Sequence, residues 1–360
     1  MILKDACGRP LLNLRIAITG RCNLRCSYCH GEGEERPNKN VNKEMKAEEI
    51  VHIANIAIGL GISRIKLTGG EPLTRTDVMD IAKGINASTG LTDLSMTTNG
   101  TLLAPLADRL YASGLKRVNI SLPTLDSDVY HELTGGKVED VLKGVKAAVE
   151  AGFSPVKLNM LILKGTNEYV VPEIIEFAAQ TGTVLQLIEL EPINMTSKYY
   201  SEKHKALDEY ETLLREKAVK IETRRYMQNR HIYYLPHAKV EVIRPIENTE
   251  FCLHCTRLRV TSDGKLKPCL MRNDNLTDIL TPIRNGATDQ ELTRFFKLAN
   301  QERQPYQTSP HLVEDKKNSK QLKSILEQPQ TGKLSRLWNQ KASLLRKEKY
   351  TWIYHPEELL

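Results

Sequence analysis

The sequence predicts an α/β fold built on a parallel β-sheet, and two features of the chain support this prediction. Short apolar segments alternate with longer segments of helical periodicity from residue 14 to about residue 190. Glycines follow several of the helical segments, as expected at helix C-termini. The apolar segments are too continuous for strands with one solvated face, which favours parallel strands with right-handed crossovers. This alternation is compatible with an open doubly wound sheet and with a partial barrel.

The elements follow one another in order along this part of the chain. The predicted strands are Leu14–Thr19, Arg64–Leu67, Asp93–Thr97, Arg117–Leu122, Val156–Leu161 and Val184–Leu190. The predicted helices lie near residues 46–59, 74–88, 102–112, 138–151 and 168–181, and glycines 61, 114, 152 and 182 follow four of them. After residue 191 the alternation gives way to a helical connection and two short strands, near Arg230–Leu235 and Lys239–Ile243.

Composition and charge limit the classes of function. The chain of 360 residues is 40% hydrophobic and 26% charged, as in ordinary globular proteins. No apolar run reaches the roughly 18 residues of a membrane span, and the N-terminus lacks a signal-peptide core, so we expect a cytoplasmic protein. The formal net charge of +7 fits either ordinary solubility or an anionic ligand such as a nucleoside triphosphate. The basic residues are not gathered in one stripe, which disfavours nucleic acid.

Glycine-rich or polar segments follow the first four predicted strands. A cysteine-rich loop follows the first strand, Thr68–Pro72 the second, Thr97–Gly100 the third and Ser121–Thr124 the fourth. In either architecture, ligands bind at the C-terminal ends of parallel strands. The sequence therefore predicts one active-site mouth at that edge of the sheet.

Cys22, Cys26 and Cys29 lie in the loop after the first strand, with a C-x3-C-x2-C spacing. Three thiolates leave one iron of a [4Fe–4S] cluster without a protein ligand, and that iron can bind a substrate or cofactor. Zinc is the alternative, with His30 as a fourth ligand. Adjacent Cys29 and His30 could hardly both point at one metal, which favours the cluster.

Cys252, Cys255 and Cys269 form a second group of three, and Cys7 stands alone. A zinc ribbon would use two C-x2-C pairs, whereas this region has one. A second three-cysteine iron–sulfur cluster is therefore favoured, with an open iron that can accept a nitrogen or oxygen of the substrate. Disulfides are disfavoured, because the cytosol is reducing.

These motifs resemble those of a known family. CNLRCSYC resembles the signature of the radical S-adenosylmethionine (radical SAM) superfamily, and TGGEP resembles its GGEP motif. Five longer segments are similar to the molybdenum cofactor biosynthesis protein A family, the GTP 3',8-cyclases, in their archaeal form: NLRIAITGRCNLRCSYCH, RIKLTGGEPL, MTTNGTLL, NISLPTLD and FCLHCTRLRVTSDGKLKPCL. The resemblance runs from about Gly8 to Tyr306.

The resemblance implies a partial (β/α)6 TIM-like barrel with a C-terminal extension that carries the second cluster. We accordingly expect a barrel core over residues 1–190, an auxiliary-cluster region over 191–308 and a basic tail of unknown role over 309–360. In the tail, residues 314–350 hold ten basic and four acidic residues. A solvated tail is the main interpretation, and a docking segment for a partner or nucleic acid is the weaker one.

The resemblance also implies an activity, cofactors and partners. The implied cofactors are two [4Fe–4S] clusters and S-adenosylmethionine. Cleavage of S-adenosylmethionine would give a 5'-deoxyadenosyl radical, which abstracts the ribose 3'-hydrogen of GTP. The carbon radical attacks C8 of guanine, and reduction and protonation give 3',8-cyclo-7,8-dihydro-GTP for molybdopterin or tungstopterin synthesis. The implied partners are cyclic pyranopterin monophosphate synthase, a cellular reductant and, as often in the family, a second copy of the chain. The alternatives are a radical enzyme acting on another nucleotide or a peptide, and a metal-binding protein with structural clusters.

Family positions give the candidate site residues. The resemblance assigns catalysis to Cys22, Cys26 and Cys29, cofactor contacts to Tyr28, Gly70 and Ser121, and GTP contacts to Arg15, Lys66, Thr97, Lys157, Arg257 and Arg259. The residues themselves support part of this assignment. Arg257 and Arg259 alternate, so on an extended segment both point to one face, and arginine forks match phosphate oxygens. Ser121 as a helix cap and Gly69–Gly70 as a simple turn remain the structural alternatives.

The chain departs from the family pattern at three places. Gly20 and Pro123 each stand where the family usually has aspartate, so two loop carboxylates are missing. The usual C-terminal Gly-Gly is also absent, because the chain ends Glu357-Glu358-Leu359-Leu360.

Overall fold

The alternation of strand and helix forms one mixed β-sheet with helices packed against it. A computed structural model describes residues 2–34 and 44–306. The strands are β1 (Asn13–Ala17), β2 (Arg64–Thr68), β3 (Asp93–Thr98), β4 (Arg117–Ser121), β5 (Val156–Leu161), β6 (Val184–Ile188), β7 (Lys220–Arg224), β8 (Arg230–Tyr234), β9 (Lys239–Ile243), β10 (Arg257–Val260), β11 (Lys265–Lys267) and β12 (Thr277–Asp278).

The helices alternate with strands in the first half of the chain and cluster in the second. They are α1 (Ala47–Gly59), α2 (Val78–Asn86), α3 (Ala107–Ala112), α4 (Ser127–Thr134), α5 (Val138–Glu150), α6 (Val171–Thr181), α7 (Ser197–Lys203), α8 (Asp208–Lys217), α9 (Thr249–Leu253), α10 (Leu280–Arg284) and α11 (Asp289–Gln301).

The sheet is an open, partial barrel. Its strand order is β12-β11-β10-β1-β2-β3-β4-β5-β6-β9-β8-β7, and the edge strands β12 and β7 do not pair with each other. The six predicted parallel strands are confirmed, but the parallel part contains eight. β10 pairs parallel with β1, and β9 pairs parallel with β6. The sheet thus continues past residue 190. The domain boundary predicted at that residue stays a prediction.

Helix boundaries differ from prediction where proline starts a tighter turn. The helices predicted near 74–88 and 102–112 begin later, as α2 and α3, because a short 3-10 turn containing a proline precedes each. Helix α4 was not predicted, because it is only eight residues long. Asp126 caps its start, and Gly135, in the left-handed conformation, ends it.

The central strands are buried or half-buried on both faces, although their sequences are less continuously apolar than the prediction assumed. On β1, Leu14 and Ile16 are fully buried in the hydrophobic core, whereas Arg15 between them lines an internal cavity. Strands β2–β6, β9 and β10 show the same alternation. The concave face of the sheet is therefore a polar lumen, and the convex face packs against helices.

Two further observations concern the limits of the chain. Among residues 2–34 and 44–306, no helix combines the length and apolarity needed to cross a bilayer. The basic tail, with the docking hypothesis attached to it, lies outside the described residues.

Candidate active site

One cavity of about 360 Å³, within the usual range of ligand sites, brings all the predicted site residues together. Its lining includes both cysteine triads, Tyr28, Gly70, Ser121, Arg15, Lys66, Thr97, Lys157, Arg257 and Arg259. Residues as distant in the chain as Arg15 and Cys269 meet there, which is a property of the fold.

The two cysteine triads lie at opposite ends of this lumen. Cys22 follows the C-terminal end of β1, whereas Cys255 precedes the N-terminal end of β10. Because β1 and β10 are parallel neighbours, these positions lie at opposite edges of the sheet. A strand of five residues spans about 17 Å, so the two triads are separated by a distance of this order. The prediction of one site at the C-terminal edge is therefore incomplete, because the second triad and its arginines approach from the other edge.

The first triad lies in a loop pinned to the end of α4. The amides of Arg25 and Ser27 donate to the carbonyl oxygens of Thr134 and Leu133, each at 2.9 Å. Burial raises the pKa of Cys26 to about 12. Positive charge at this point would therefore be needed to hold its thiolate form at neutral pH.

Glycine is required in the loop after β2. Gly70 N donates to Thr19 O at 2.8 Å, so the two loops run in direct backbone contact. A Cβ on Gly70 would lie 2.1 Å from Arg21 O, and one on Gly69 would lie 2.3 Å from Thr19 O. Gly69 also has a φ of +141°. The simple-turn interpretation is thus insufficient, because the glycines hold the loop against the cysteine loop.

An apolar pocket adjoins the first triad. The half-buried ring of Tyr28 packs against the buried cluster of Leu133, Leu163 and Leu190. Burial raises the pKa of the Tyr28 hydroxyl well above its ordinary value, so the ring is neutral. A flat apolar surface of this kind is suited to a planar base.

In the second triad, Cys252 lies in α9, Cys255 lies between α9 and β10, and Cys269 lies in the loop after β11. Cys255 N donates to Cys252 O at 3.2 Å, which folds the C-x2-C segment into a turn. Burial raises the pKa of Cys269. Burial also acts to raise the pKa of Cys255, but the positive charges of Arg303, Arg257 and Arg9 outweigh it, so the pKa of Cys255 is lowered.

The donor sets fit iron–sulfur clusters better than zinc. Within the described ranges, no three His, Cys, Asp or Glu side chains lie close enough to hold a single metal ion. Each triad nevertheless contributes three cysteines to the lining of the cavity, which suits a larger cluster with thiolate ligands. His30 is not needed as a ligand, although its buried Nδ1 has no hydrogen-bond partner.

The lumen carries an excess of positive charge. Its acidic residues are Glu32, Asp93, Glu189 and Glu191, and its basic residues are Arg9, Arg15, Arg64, Lys66, Arg117, Lys157, Arg224, Arg230, Arg257 and Arg259. Burial, together with the neighbouring Arg259, lowers the pKa of Arg15 to about 10. Burial and other nearby cations lower the pKa of Lys66 and Arg257 well below their ordinary values. Crowded buried cations of this kind favour an anionic ligand.

Three of these cations share a single carboxylate, Glu241 of β9, which is fully buried. Glu241 lies 2.7 Å from Lys157 Nζ, 3.3 Å from Arg230 Nε and 3.4 Å from Arg224 Nη1. These cations lower the pKa of Glu241 well below its ordinary value, in spite of burial. The group of four side chains therefore keeps a net positive charge on the wall of the lumen.

A chain of amides connects this group to Lys66. Lys66 Nζ donates to Asn119 Oδ1 at 2.6 Å, Asn119 Nδ2 donates to Gln186 Oε1 at 2.7 Å, and Gln186 donates to Glu241. Sequence reasoning missed Asn119, Gln186 and Glu241. The sequence carries a signal for them, because each lies between two apolar residues of its strand.

Two of the three departures from the family pattern are accommodated locally, and the third, at the C-terminus, lies outside the described residues. Near Gly20, Glu44 Oε1 accepts hydrogen bonds from Gly20 N at 2.8 Å and from Thr19 Oγ1 at 2.7 Å. The loop thus receives a carboxylate from elsewhere in the chain. Pro123 is buried, and its carbonyl oxygen accepts from Asn167 Nδ2 at 2.8 Å.

Comparison with known families and proteins gives consistent matches. Residues 16–178 match the Radical SAM superfamily, and residues 183–309 match Molybdenum Cofactor Synthesis C. A "Probable GTP 3',8-cyclase" of Thermococcus kodakarensis is 48% identical over 312 residues, which cover 85% of this chain and 99% of that protein. One from Methanocaldococcus jannaschii is 43% identical over 305 residues, covering 84% and 99%.

Solved structures share the fold at low identity. Streptococcus suis SuiB bound to S-adenosylmethionine superposes with a TM-score of 0.55 at 20% identity, covering 75% of this chain and 64% of that one, slightly under two thirds. A polyhistidine-tagged anSMEcpe with bound AdoMet gives a TM-score of 0.52 at 17% identity, covering 74% and 76%.

Proposed function

The chain belongs to the GTP 3',8-cyclase family of the radical SAM superfamily, and we propose that it converts GTP into 3',8-cyclo-7,8-dihydro-GTP for molybdopterin or tungstopterin synthesis. One observation carries the proposal at the level of the site. Two three-cysteine groups face each other across a lumen whose walls hold an excess of buried cations.

The cofactors are two [4Fe–4S] clusters and S-adenosylmethionine, which supplies a 5'-deoxyadenosyl radical after one-electron reduction. Cys22, Cys26 and Cys29 hold the first cluster, and Cys252, Cys255 and Cys269 hold the second. Beside the first triad, the Tyr28 pocket accepts the adenine, and the backbone at Gly70 and the Ser121 hydroxyl orient the rest of the cofactor. These assignments are supported by the common cavity and by the close backbone packing at Gly70.

GTP lies between the two triads. Its triphosphate is bound by Arg15, Lys66, Lys157, Arg257 and Arg259, with Thr97 as a further contact, and its guanine edge faces the second triad. This order follows the chain, because Arg257 and Arg259 are the next lumen-facing residues after Cys255. The ribose then lies toward the first triad, where hydrogen abstraction takes place. Closing the C3'–C8 bond and completing the product require one further electron and one proton.

The buried cations favour this substrate over a peptide. A peptide offers no matching density of negative charge, whereas a triphosphate meets several guanidinium and ammonium groups at once. Another nucleotide remains the alternative substrate. The non-enzymatic alternative, structural clusters alone, gives no reason for a cavity between the triads.

Iron content and product analysis test the proposal. After anaerobic reconstitution we expect about eight irons per chain, from two four-iron clusters. Incubation with GTP, S-adenosylmethionine and a reductant should give 5'-deoxyadenosine and a cyclised dihydro-GTP, identified by mass. Deoxyadenosine without loss of GTP would indicate another substrate, and zinc without sulfide would exclude both enzymatic alternatives.

Single cysteine variants separate the two triads. Cys22→Ser should retain about four irons and lose deoxyadenosine formation, because the second cluster is intact. Cys252→Ser should also retain about four irons but form no cyclised product. Cys7→Ser is the matched control, since Cys7 is an exposed free thiol outside both triads. A loss of iron in Cys7→Ser would contradict these ligand assignments.

The remaining assignments concern partners and organisation. We infer a cyclic pyranopterin monophosphate synthase acting on the product, a cellular reductant, a homodimer and a cytoplasmic location. The division into residues 1–190, 191–308 and 309–360 is retained as a proposal. Size-exclusion chromatography with light scattering would test the dimer, and a chain truncated after Tyr306 would test the tail.

A further inference from the structure

Two buried arginines, distant in sequence, meet at the second cysteine triad. Arg9 precedes β1 and Arg303 follows α11, and their side chains are only 6% and 1% exposed. Arg9 Nη1 donates to Cys252 O at 2.7 Å, and Arg303 Nη2 donates to Cys255 O. Each cysteine of the C-x2-C pair therefore has its backbone carbonyl held by a guanidinium group.

One carboxylate joins the two arginines. Asp5 Oδ2 accepts from Arg9 Nε at 2.7 Å and lies 3.6 Å from Arg303 Nη1, and the Asp5 side chain is fully buried. Arg9 Nη2 also donates to Arg303 O at 2.7 Å. We call Asp5, Arg9 and Arg303 the arginine clamp. Its two cations and one anion leave a net positive charge buried beside the triad.

We propose that the arginine clamp both positions the second cluster and raises its reduction potential. This inference rests on the second cluster of the proposed function. Reduction adds one negative charge to a cluster, so a nearby positive charge stabilises the reduced form. Burial strengthens this effect, because it lowers the local dielectric constant. Arg9 and Arg303 are thus positioning residues that make the second cluster easier to reduce.

A purely structural clamp would behave differently. If Arg9, Arg303 and Asp5 only held the loop, removing any of them would loosen the cluster in the same way. An electrostatic role predicts shifts of opposite sign, because Arg9→Gln removes a positive charge and Asp5→Asn removes a negative one. The sign of the shift therefore distinguishes the two roles.

The test isolates the second cluster by replacing Cys22, Cys26 and Cys29 with serine. In this background, the midpoint potential is measured by electron paramagnetic resonance at controlled potentials. Arg9→Gln and Arg303→Gln should shift it to more negative values, and Asp5→Asn to more positive values. Arg9→Lys keeps the charge and should stay close to the parent.

Arg284→Gln is the matched control, because Arg284 likewise joins a carboxylate, Glu49, to a backbone carbonyl, that of Glu44. It should leave the potential unchanged. In the metal-free protein, Arg9→Gln should also speed amide hydrogen exchange in residues 250–256, which reports the positioning role without any cluster.

Two results would overturn the inference. Shifts of the same sign in Arg9→Gln and Asp5→Asn, or none in either, would leave no electrostatic role. Should the parent variant bind no four-iron cluster, the proposed ligand set itself fails, and the clamp fails with it. If an arginine variant does not fold, as judged by thermal unfolding, a positive shift in Asp5→Asn together with no shift in Arg9→Lys still supports the electrostatic role, and any other result overturns it.

Discussion

Glu32, in the loop after the first cysteine triad, forms an ion pair with Arg259 of β10, with Glu32 Oε2 2.9 Å from Arg259 Nη1. Thr68 at the end of β2 donates a hydrogen bond to the other carboxylate oxygen. Burial acts to raise the pKa of Glu32, but the positive charges of Arg259 and Arg15 outweigh burial and lower this pKa to about 2. An ionised carboxylate from one triad's loop thus lies among the cations proposed to bind phosphate.

Glu32→Gln should strengthen GTP binding, because it removes a negative charge that competes with phosphate for Arg259. A charge-assisted hydrogen bond contributes about 1.5–3 kcal/mol, so we expect the affinity for GTP to increase roughly tenfold. The measurement is equilibrium binding of GTP without S-adenosylmethionine. Glu34→Gln is the control in the same loop, because Glu34 bonds Ser262 rather than a cation. Weaker binding in Glu32→Gln would instead mean that Glu32 holds Arg259 in its binding position.

Arg230→Gln should weaken GTP binding about tenfold or more, because it removes a charge-assisted hydrogen bond worth about 1.5–3 kcal/mol. Arg230 belongs to the group around Glu241, whose net positive charge is available to phosphate. Binding of guanosine, which has no phosphate, should change little. Arg225→Gln provides the control, since Arg225 is exposed in the turn between β7 and β8 and its guanidinium lies 6.0 Å from the Tyr226 ring. Equal losses for GTP and guanosine would show a general disruption of the lumen.

GTP affinity should decrease as pH rises through about 8. Burial lowers the pKa of Lys157 to about 8, even though Glu241 opposes the shift. Below that pH Lys157 is charged and attracts phosphate, whereas above it the neutral amine does not. Lys66, whose pKa burial also lowers, acts in the same direction.

Lys157→Arg tests this assignment, because arginine stays charged throughout the range. Titration of the GTP dissociation constant between about pH 7 and 9.5 should show a smaller loss of affinity for this variant than for the parent. A dissociation constant of the parent that does not change with pH would contradict the role of Lys157.

Gly70→Ala should abolish deoxyadenosine formation and lower the thermal unfolding temperature. Its Cβ would lie 2.1 Å from Arg21 O, so the loop after β2 must separate from the cysteine loop. Gly59→Ala is the control, because a Cβ on Gly59 of α1 meets no atom within 4 Å. There, alanine should be neutral or stabilising by about 1 kcal/mol. Full activity in Gly70→Ala would show that the close approach is not needed.

The sequence by itself identified the α/β class, the six central parallel strands and all six cysteine ligands proposed here. These features depend on local information, namely the periodicity of apolar residues and the spacing of cysteines in short loops. The lumen residues were only partly found. Arg15 and Lys157 came from family positions, whereas Arg230 and Glu241 occupy strands whose place in the sheet the sequence does not reveal.

Only the tertiary structure placed the two triads at opposite ends of one lumen. This arrangement arises because β10, which lies far beyond β2 in the chain, pairs parallel with the other side of β1. Strand order between distant segments is set by long-range pairing and packing, which leave no local pattern in the chain. The pairing of Glu32 with Arg259, and of Arg9 and Arg303 with the second triad, follows from that order. The sequence thus determines the types and spacing of the site residues. The fold decides which charged side chains lie beside one another, and therefore the net charge around each triad.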